Sequence, residues 1–190
     1  MEPALHFDPA LLLRAQGAGF GMKLAFFDVD GVLTDGRIYI GEHGEAFKAF
    51  STLDGHGLKL LLRAGIEPVI ITGRDSAALR TRLADLGLAR AHFGVHDKAA
   101  VAQAVLAELG ASWAEAAAIG DDWPDLPLLL RAGFACAPAN AHPEVKAVAH
   151  HVTAGAGGHG AAREFCDLLL CACGRYAELL RADIGTLDAR

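Results

Sequence analysis

The chain has 190 residues, of which 53% are hydrophobic and 21% charged, with a formal net charge of −6 and a pI near 5.8. This length suits one domain with a sizeable core. No block of Lys or Arg gives the basic footprint of a nucleic-acid or acidic-membrane binder, so an anionic ligand would have to be held by a few local donors and a metal.

The four cysteines, Cys136, Cys166, Cys171 and Cys173, lack C-x-x-C spacing. Free thiols in a reducing compartment are expected rather than a zinc site. Glu2, Asp8 and Arg14 interrupt the N-terminal apolar stretch, and no basic segment precedes it. No signal peptide and no membrane span are expected, which points to a soluble cytoplasmic protein.

Residues 1–21 read as an appendage. Asp8-Pro9 has the form of an N-cap and first helical residue, opening a short helix through Leu11, Leu12 and Leu13. Gly17, Gly19 and Gly21 then suggest a loose linker, with Met22 as a second possible start. Leu24 to Phe27 is an unbroken apolar run, as in a parallel strand buried on both faces. Asp28 and Asp30 follow at its end, and Gly31 lets the chain turn. Arg37 to Ile40 and Ala46 to Phe50 form a hairpin across Gly41 to Glu45. Both of its faces carry apolar groups, so it is expected to pack on a neighbouring subunit.

Asp54 to Ala64 is helical, with Leu58, Leu61 and Leu62 inward and Gly65 at its end. Pro68 to Thr72 is the next buried strand, followed by Gly73-Arg74-Asp75. Ser76 can cap a helix that buries Leu79, Leu83 and Leu86. Ala91 to Phe93 is a short strand. Lys98 opens a helix with Val101, Val105 and Leu109 inward. Ser112 and Glu115 fit a capping box. Ala116 to Ile119 is a strand of small residues leading into Gly120-Asp121-Asp122-Trp123-Pro124-Asp125. Phe134 to Ala137 and His151 to Thr153 are the last strands. Gly155 to Gly160 is a glycine loop before an apolar helix, Ala161 to Cys173, which Tyr176 to Arg181 could continue. This alternation predicts an α/β fold: a doubly wound parallel sheet with helices on both faces.

Polar residues collect after successive strands, and in such a sheet those ends share one edge. Asp28, Asp30 and Asp121 could together hold Mg²⁺. Thr72 and the backbone N–H of Gly73 offer a phosphate grip. Lys98 can offset both Asp28 and a bound phosphoryl group, easing the repulsion between a carboxylate and a phosphate. Asp122 reads equally well as a helix cap, and Asp125 as a supporting group or a solvated helix start. Arg74 could form a surface ion pair, but its place beside the phosphate grip favours a substrate contact. His56 is a weaker substrate-contact candidate.

Asp28-Val29-Asp30-Gly31-Val32, Thr72-Gly73-Arg74, Lys98 and Gly120-Asp121-Asp122…Asp125 resemble the four motifs of the haloacid dehalogenase superfamily, in its phosphatase branch. The hairpin from Gly36 to Phe50, Asp54-Gly55-His56-Gly57, Ala141-His142-Pro143 and Gly157 to Glu164 resemble the 3-deoxy-D-manno-octulosonate 8-phosphate phosphatases. That likeness runs from about Lys23 to Gly174. It divides the chain into residues 1–21, a phosphatase domain over 22–174 and a tail over 175–190.

The resemblance implies a Rossmann-like core with a hairpin insertion after the first strand and no full cap domain. It implies a homotetramer whose hairpins pack together and whose subunits help close each other's sites. The implied reaction removes the 8-phosphate of an eight-carbon acid sugar, on the way to the lipopolysaccharide core. Asp28 would be the nucleophile that becomes an aspartyl-phosphate. Asp30 would protonate the leaving hydroxyl and then activate water, with its backbone carbonyl rather than its side chain on the metal. Thr72 and Lys98 would hold the phosphoryl group. Asp121 would bind Mg²⁺ with support from Asp122 or Asp125, and Arg74 would meet the sugar-acid carboxylate. Two positions depart from the family pattern, which has basic residues where this chain has Leu53 and His159. A nine-carbon keto-acid phosphatase and a non-catalytic phosphatase-like oligomerisation module are the rival readings. The second predicts eroded motifs, whereas Asp28, Asp30, Thr72, Lys98 and Asp121 are all present.

Overall fold

A computed structural model of the protein describes residues 3–17 and 21–185. Gly19 and the end of the tail, residues 186–190, lie outside the described residues. The helices are α1 (Pro9–Ala15), α2 (Thr52–Ala64), α3 (Ala77–Leu86), α4 (Lys98–Leu109), α5 (Leu126–Leu129), α6 (Pro143–Val148), α7 (Ala161–Ala172) and α8 (Tyr176–Ile184). The strands are β1 (Leu24–Phe27), β2 (Tyr39–Gly41), β3 (Gly44–Phe47), β4 (Glu67–Ile71), β5 (Ala91–His92), β6 (Ala116–Ile119), β7 (Phe134–Ala137) and β8 (His151–Val152).

Six strands form a parallel sheet in the order β5-β4-β1-β6-β7-β8. The unbroken run Leu24 to Phe27 sits near its middle, between β4 and β6, with every residue buried. Its side chains alternate between the two layers. Ala25 and Phe27 pack with residues of α2, α3 and α7, while Leu24 and Phe26 pack with residues of α4, α5 and α6. Burying a phenylalanine such as Phe26 or Phe27 contributes on the order of 1.5–3 kcal/mol, which anchors this strand against both layers. The doubly wound α/β sheet is as expected, and among the described residues no cap domain is present.

Several local features differ from the sequence expectation. The hairpin is shorter, β2 and β3, closing tightly from Gly41 to Gly44 with an irregular register at Tyr39/Ile40. On α4 the buried positions include Ala102, Val105 and Leu106, with Val101 and Leu109 only partly covered. Ser76 makes no cap bond. Its hydroxyl instead donates to Glu45 Oε1 at 2.5 Å, because the hairpin lies within its reach. Tyr176 does not continue α7, since Gly174 at φ +72° breaks the helix before α8 begins.

Residues 9–15 form α1, which packs on α7. Asp8 Oδ1 accepts the Ala10 N–H at 2.7 Å, as the N-cap spacing implied, and Ala15 is buried in the core beside α7. No helix among the described residues is long and apolar enough to cross a membrane.

Candidate active site

The carboxyl ends of β1, β4 and β6 open onto one cleft of about 300 Å³. Asp28, Asp30, Thr72, Gly73, Arg74, Lys98, Asp121, Asp122 and Asp125 all line it, as do His96 and Pro124. Thus nine of the ten sequence candidates meet at one sheet edge. The exception is His56. It is exposed on α2 and lines a separate hollow with Arg163, Tyr176 and Asp183, because the start of α2 faces α7 and α8 rather than the sheet edge.

The loop after β1 is tied to a single carbonyl. Val29 accepts the N–H groups of Val32, Leu33 and Thr34 at 3.2, 2.9 and 3.0 Å. Gly31 takes φ +102°, and a Cβ there would lie 2.0 Å from Asp121 Oδ2. Only glycine therefore lets the β1 and β6 loops approach so closely. Asn140 joins the same place from β7, donating to the Gly31 carbonyl at 3.1 Å and accepting the Gly157 N–H at 2.6 Å.

Lys98 is buried at the start of α4, where the Asp97 side chain accepts the Ala100 N–H at 3.0 Å. Its Nζ donates to Asp28 Oδ1 at 2.5 Å and to Asp125 Oδ1 at 2.6 Å. Burial works against this ammonium, yet the charges of Asp28 and Asp125 hold its pKa above the usual lysine value. Asp125 is thereby no solvated helix start. It is 2% exposed, and its Oδ2 accepts the backbone N–H groups of Asp121 and Asp122 at 3.0 and 3.3 Å. Asp122 itself is exposed at the start of the short 3-10 turn Trp123–Asp125.

One lysine does not balance the carboxylates around it. Oxygens of Asp28, Asp121 and Asp125 lie within 4.8 Å of one another. Burial, and next the charge of Asp125, push the Asp28 carboxyl up to about 7 against the pull of Lys98. Burial, and then the charges of Asp28, Asp125 and Asp122, push Asp121 up to about 8. Such a cluster of hard oxygens with surplus negative charge suits a small divalent cation. Because Asp125 is engaged by Lys98 and two N–H groups, Asp28 and Asp121 are the carboxylates left to hold it.

The side chain of Asp30 does not join the cluster, contrary to the simple three-carboxylate grouping. It turns toward the hairpin, where Lys48 Nζ contacts Oδ1 and Arg74 Nε stands 3.7 Å from Oδ2. Arg74 also pairs with Glu45 at 2.9 Å, so it combines an ion pair with a place on the cleft wall. Lys48, Glu45 and Asn140 escaped the sequence reading. The one signal for Lys48 was a lysine inside an otherwise apolar strand.

Thr72 is buried at the end of β4. Its Oγ1 accepts the Arg74 N–H at 3.3 Å, and its carbonyl accepts the Val95 N–H at 3.0 Å. The hydroxyl proton therefore remains to be donated into the cleft.

Residues 93–165 match the model of a family described as haloacid dehalogenase-like hydrolase. The 3-deoxy-D-manno-octulosonate 8-phosphate phosphatase of Salmonella typhimurium is 42% identical over 171 residues, covering 90% of this chain and 89% of that protein. The crystal structure of the phosphatase of the same name from Moraxella catarrhalis, in complex with magnesium, phosphate and the sugar acid KDO, superposes with a TM-score of 0.86. Its identity is 35%, and the match covers 93% of this chain and 99% of that one. A cobalt-bound phosphatase from Haemophilus influenzae superposes at 0.81 with 38% identity, over 86% and 93% of the two chains.

Proposed function

Since the chain belongs to the 3-deoxy-D-manno-octulosonate 8-phosphate phosphatase family of haloacid dehalogenase-like hydrolases, we propose that it hydrolyses that sugar phosphate to the free acid and phosphate with Mg²⁺. The observation that carries this reading is Lys98 set between the buried Asp28 and Asp125, in a cleft whose carboxylates outnumber its cations.

Asp28 is the nucleophile. One of its carboxylate oxygens attacks phosphorus, and the bond from phosphorus to the sugar oxygen breaks. Asp30 gives its proton to that oxygen. The phosphoryl group, now an ester of Asp28, is held by the Thr72 hydroxyl, the Gly73 N–H and Lys98. Asp30 then takes a proton from water, which attacks the same phosphorus. The bond to Asp28 breaks, and phosphate leaves. Mg²⁺, held by Asp28, Asp121 and the Asp30 backbone carbonyl, would supply the positive charge that lets a carboxylate approach an anionic ester. Asp125 supports by holding Lys98 and the loop of Asp121 and Asp122 in place. Arg74 offers its free guanidinium donors to the carboxylate of the sugar acid.

The exposed Ile38, Ile40 and Phe47 of the hairpin support its assignment as the contact between subunits of a homotetramer with shared sites. Four free thiols support a cytoplasmic setting. The phosphatase domain is assigned to residues 22–174, preceded by residues 1–21 and followed by a tail over 175–190.

The test is phosphate release with Mg²⁺ from 3-deoxy-D-manno-octulosonate 8-phosphate, beside a nine-carbon keto-acid sugar phosphate and a panel of simple sugar phosphates. Asp28→Asn serves as the inactive control. Release concentrated on the eight-carbon acid supports the assignment. Release from the nine-carbon acid instead would keep the chemistry and move the substrate. No release from any ester would overturn the catalytic reading.

A further inference from the structure

Lysine is rarely buried unless paired. The Lys48 side chain is 2% exposed, although it follows β3 in an otherwise open hairpin. Its Nζ contacts Asp30 Oδ1 and lies 3.4 Å from Glu45 Oε2. Glu45 is itself fixed by the Arg74 guanidinium at 2.9 Å and the Ser76 hydroxyl at 2.5 Å. The hairpin thus delivers one ammonium to one oxygen of Asp30 and holds it there from the far side. Arg74 Nε, at 3.7 Å, is beyond hydrogen-bond reach of the other oxygen.

An ammonium can only donate. An oxygen that accepts from Lys48 has no reason to carry a proton toward it, because two donors would then face each other. We propose that Lys48 is a positioning residue for Asp30: by occupying Oδ1 it confines the transferable proton to Oδ2, the oxygen on the Arg74 side of the cleft. This rests on the reading of Asp30 as the group that protonates the leaving sugar oxygen. The transfer balances without any further reactant, since the bond from Oδ2 to hydrogen breaks as the sugar hydroxyl forms, and Asp30 is left as a carboxylate.

The test compares kcat/KM across phosphomonoesters whose leaving groups run from alkyl and sugar alcohols to p-nitrophenol, for the wild type and Lys48→Met. This parameter reports the steps through loss of the leaving group, so the later hydrolysis of the ester on Asp28 drops out. A p-nitrophenolate leaves without a proton, whereas a sugar alkoxide does not. Lys48→Met is expected to lower kcat/KM for the alkyl esters by about 10²-fold, the usual weight of a positioned general acid, and to change p-nitrophenyl phosphate by less than about threefold. Lys48→Gln keeps an N–H for Oδ1 and is expected to recover part of the difference. An equal fall for all esters, which a merely structural lysine would give, overturns the proposal, as does no fall at all. If the Met variant does not fold, the Gln variant decides: its dependence on leaving group must be steeper than that of the wild type, and an unchanged dependence overturns the proposal. A wild type inactive on every ester would instead remove the phosphatase reading beneath it.

Discussion

A Cβ on Gly157 would lie 1.8 Å from the carbonyl oxygen of Gly31. The glycine loop before α7 is therefore seated directly on the turn that carries Asp30. Gly158 continues the contact, with its N–H donating to the Val32 carbonyl at 3.0 Å. Both walls of this contact are backbone, so neither can rotate aside. Gly157→Ala should lift the loop, at a cost of about 1–3 kcal/mol for overpacking, and lower kcat with it. Urea unfolding and steady-state turnover on one preparation check this. An unchanged midpoint together with unchanged turnover would mean that the two loops are not coupled.

Removal of metal should expose the strain among the carboxylates. Asp28 and Asp121 titrate at about 7 and about 8 when folded, against 3.8 when unfolded, because of burial first and neighbouring carboxylates second. Between those values the folded chain keeps protons that the unfolded chain has released. Their contribution is complete below the unfolded value and is lost as pH rises through the folded ones. Carboxyls shifted the other way, such as Glu115 at about 2 beside Lys23, complete their contribution by the ordinary glutamate value of 4.5. The chelator-treated protein should thus melt progressively lower from about pH 5 to about pH 8, and Mg²⁺ should raise its melting temperature more at the upper end, where fewer protons compete. Thermal scans at several pH values, with and without Mg²⁺, test the sign. A metal effect independent of pH would contradict the charge surplus.

Arg74 should matter for one kind of substrate. Its guanidinium lies on the cleft wall, held by Glu45. Arg74→Ala should raise KM for the keto-acid sugar phosphate by about tenfold or more, the scale of a charge-assisted hydrogen bond lost. For a sugar phosphate without a carboxylate, KM should stay close to that of the wild type. Equal effects on the two substrates would assign Arg74 to the hairpin rather than to the sugar acid.

The hairpin should control assembly. Ile40 is 70% exposed and Phe47 54%, and Phe47 stacks on Tyr39 with ring centroids 4.5 Å apart. Ile40→Asp should shift the sedimenting species from tetramer toward smaller forms. As a substitution at an exposed position, it should change the stability of the isolated subunit by no more than about 0.5 kcal/mol. A wild type that sediments as a monomer would remove the assignment of this surface to subunit contact.

The legible part of this molecule was the part written along the strands. Asp28, Asp30, Thr72, Lys98 and Asp121 each follow an apolar run or open a helix, and a parallel sheet gathers such positions at one edge whatever lies between them. The hairpin was legible as a hairpin, from its glycines and alternating apolar residues. Its docking was not, because a strand pattern shows which residues share a face but not what that face meets. Lys48 therefore passed as an ordinary strand residue, although its partner is Asp30. Ser76 passed as a cap for the same reason, since Glu45 reaches it only in the folded chain. Asn140 carries no local signal, as its amide bridges Gly31 and Gly157, far from it in sequence. His56 was drawn into the site by its place in Asp54-Gly55-His56-Gly57, but a helix start does not reveal which way its exposed face points.

The two faces of the hairpin have a bearing on how this segment can be exchanged. It presents Ile40 and Phe47 outward, while Lys48, the residue after Phe47, turns inward to Asp30. Exposed apolar face and inward clamp thus belong to a single short segment. A graft that exchanged residues 37–50 would leave Asp30 Oδ1 bare unless the donor hairpin returned a cation to the same spot.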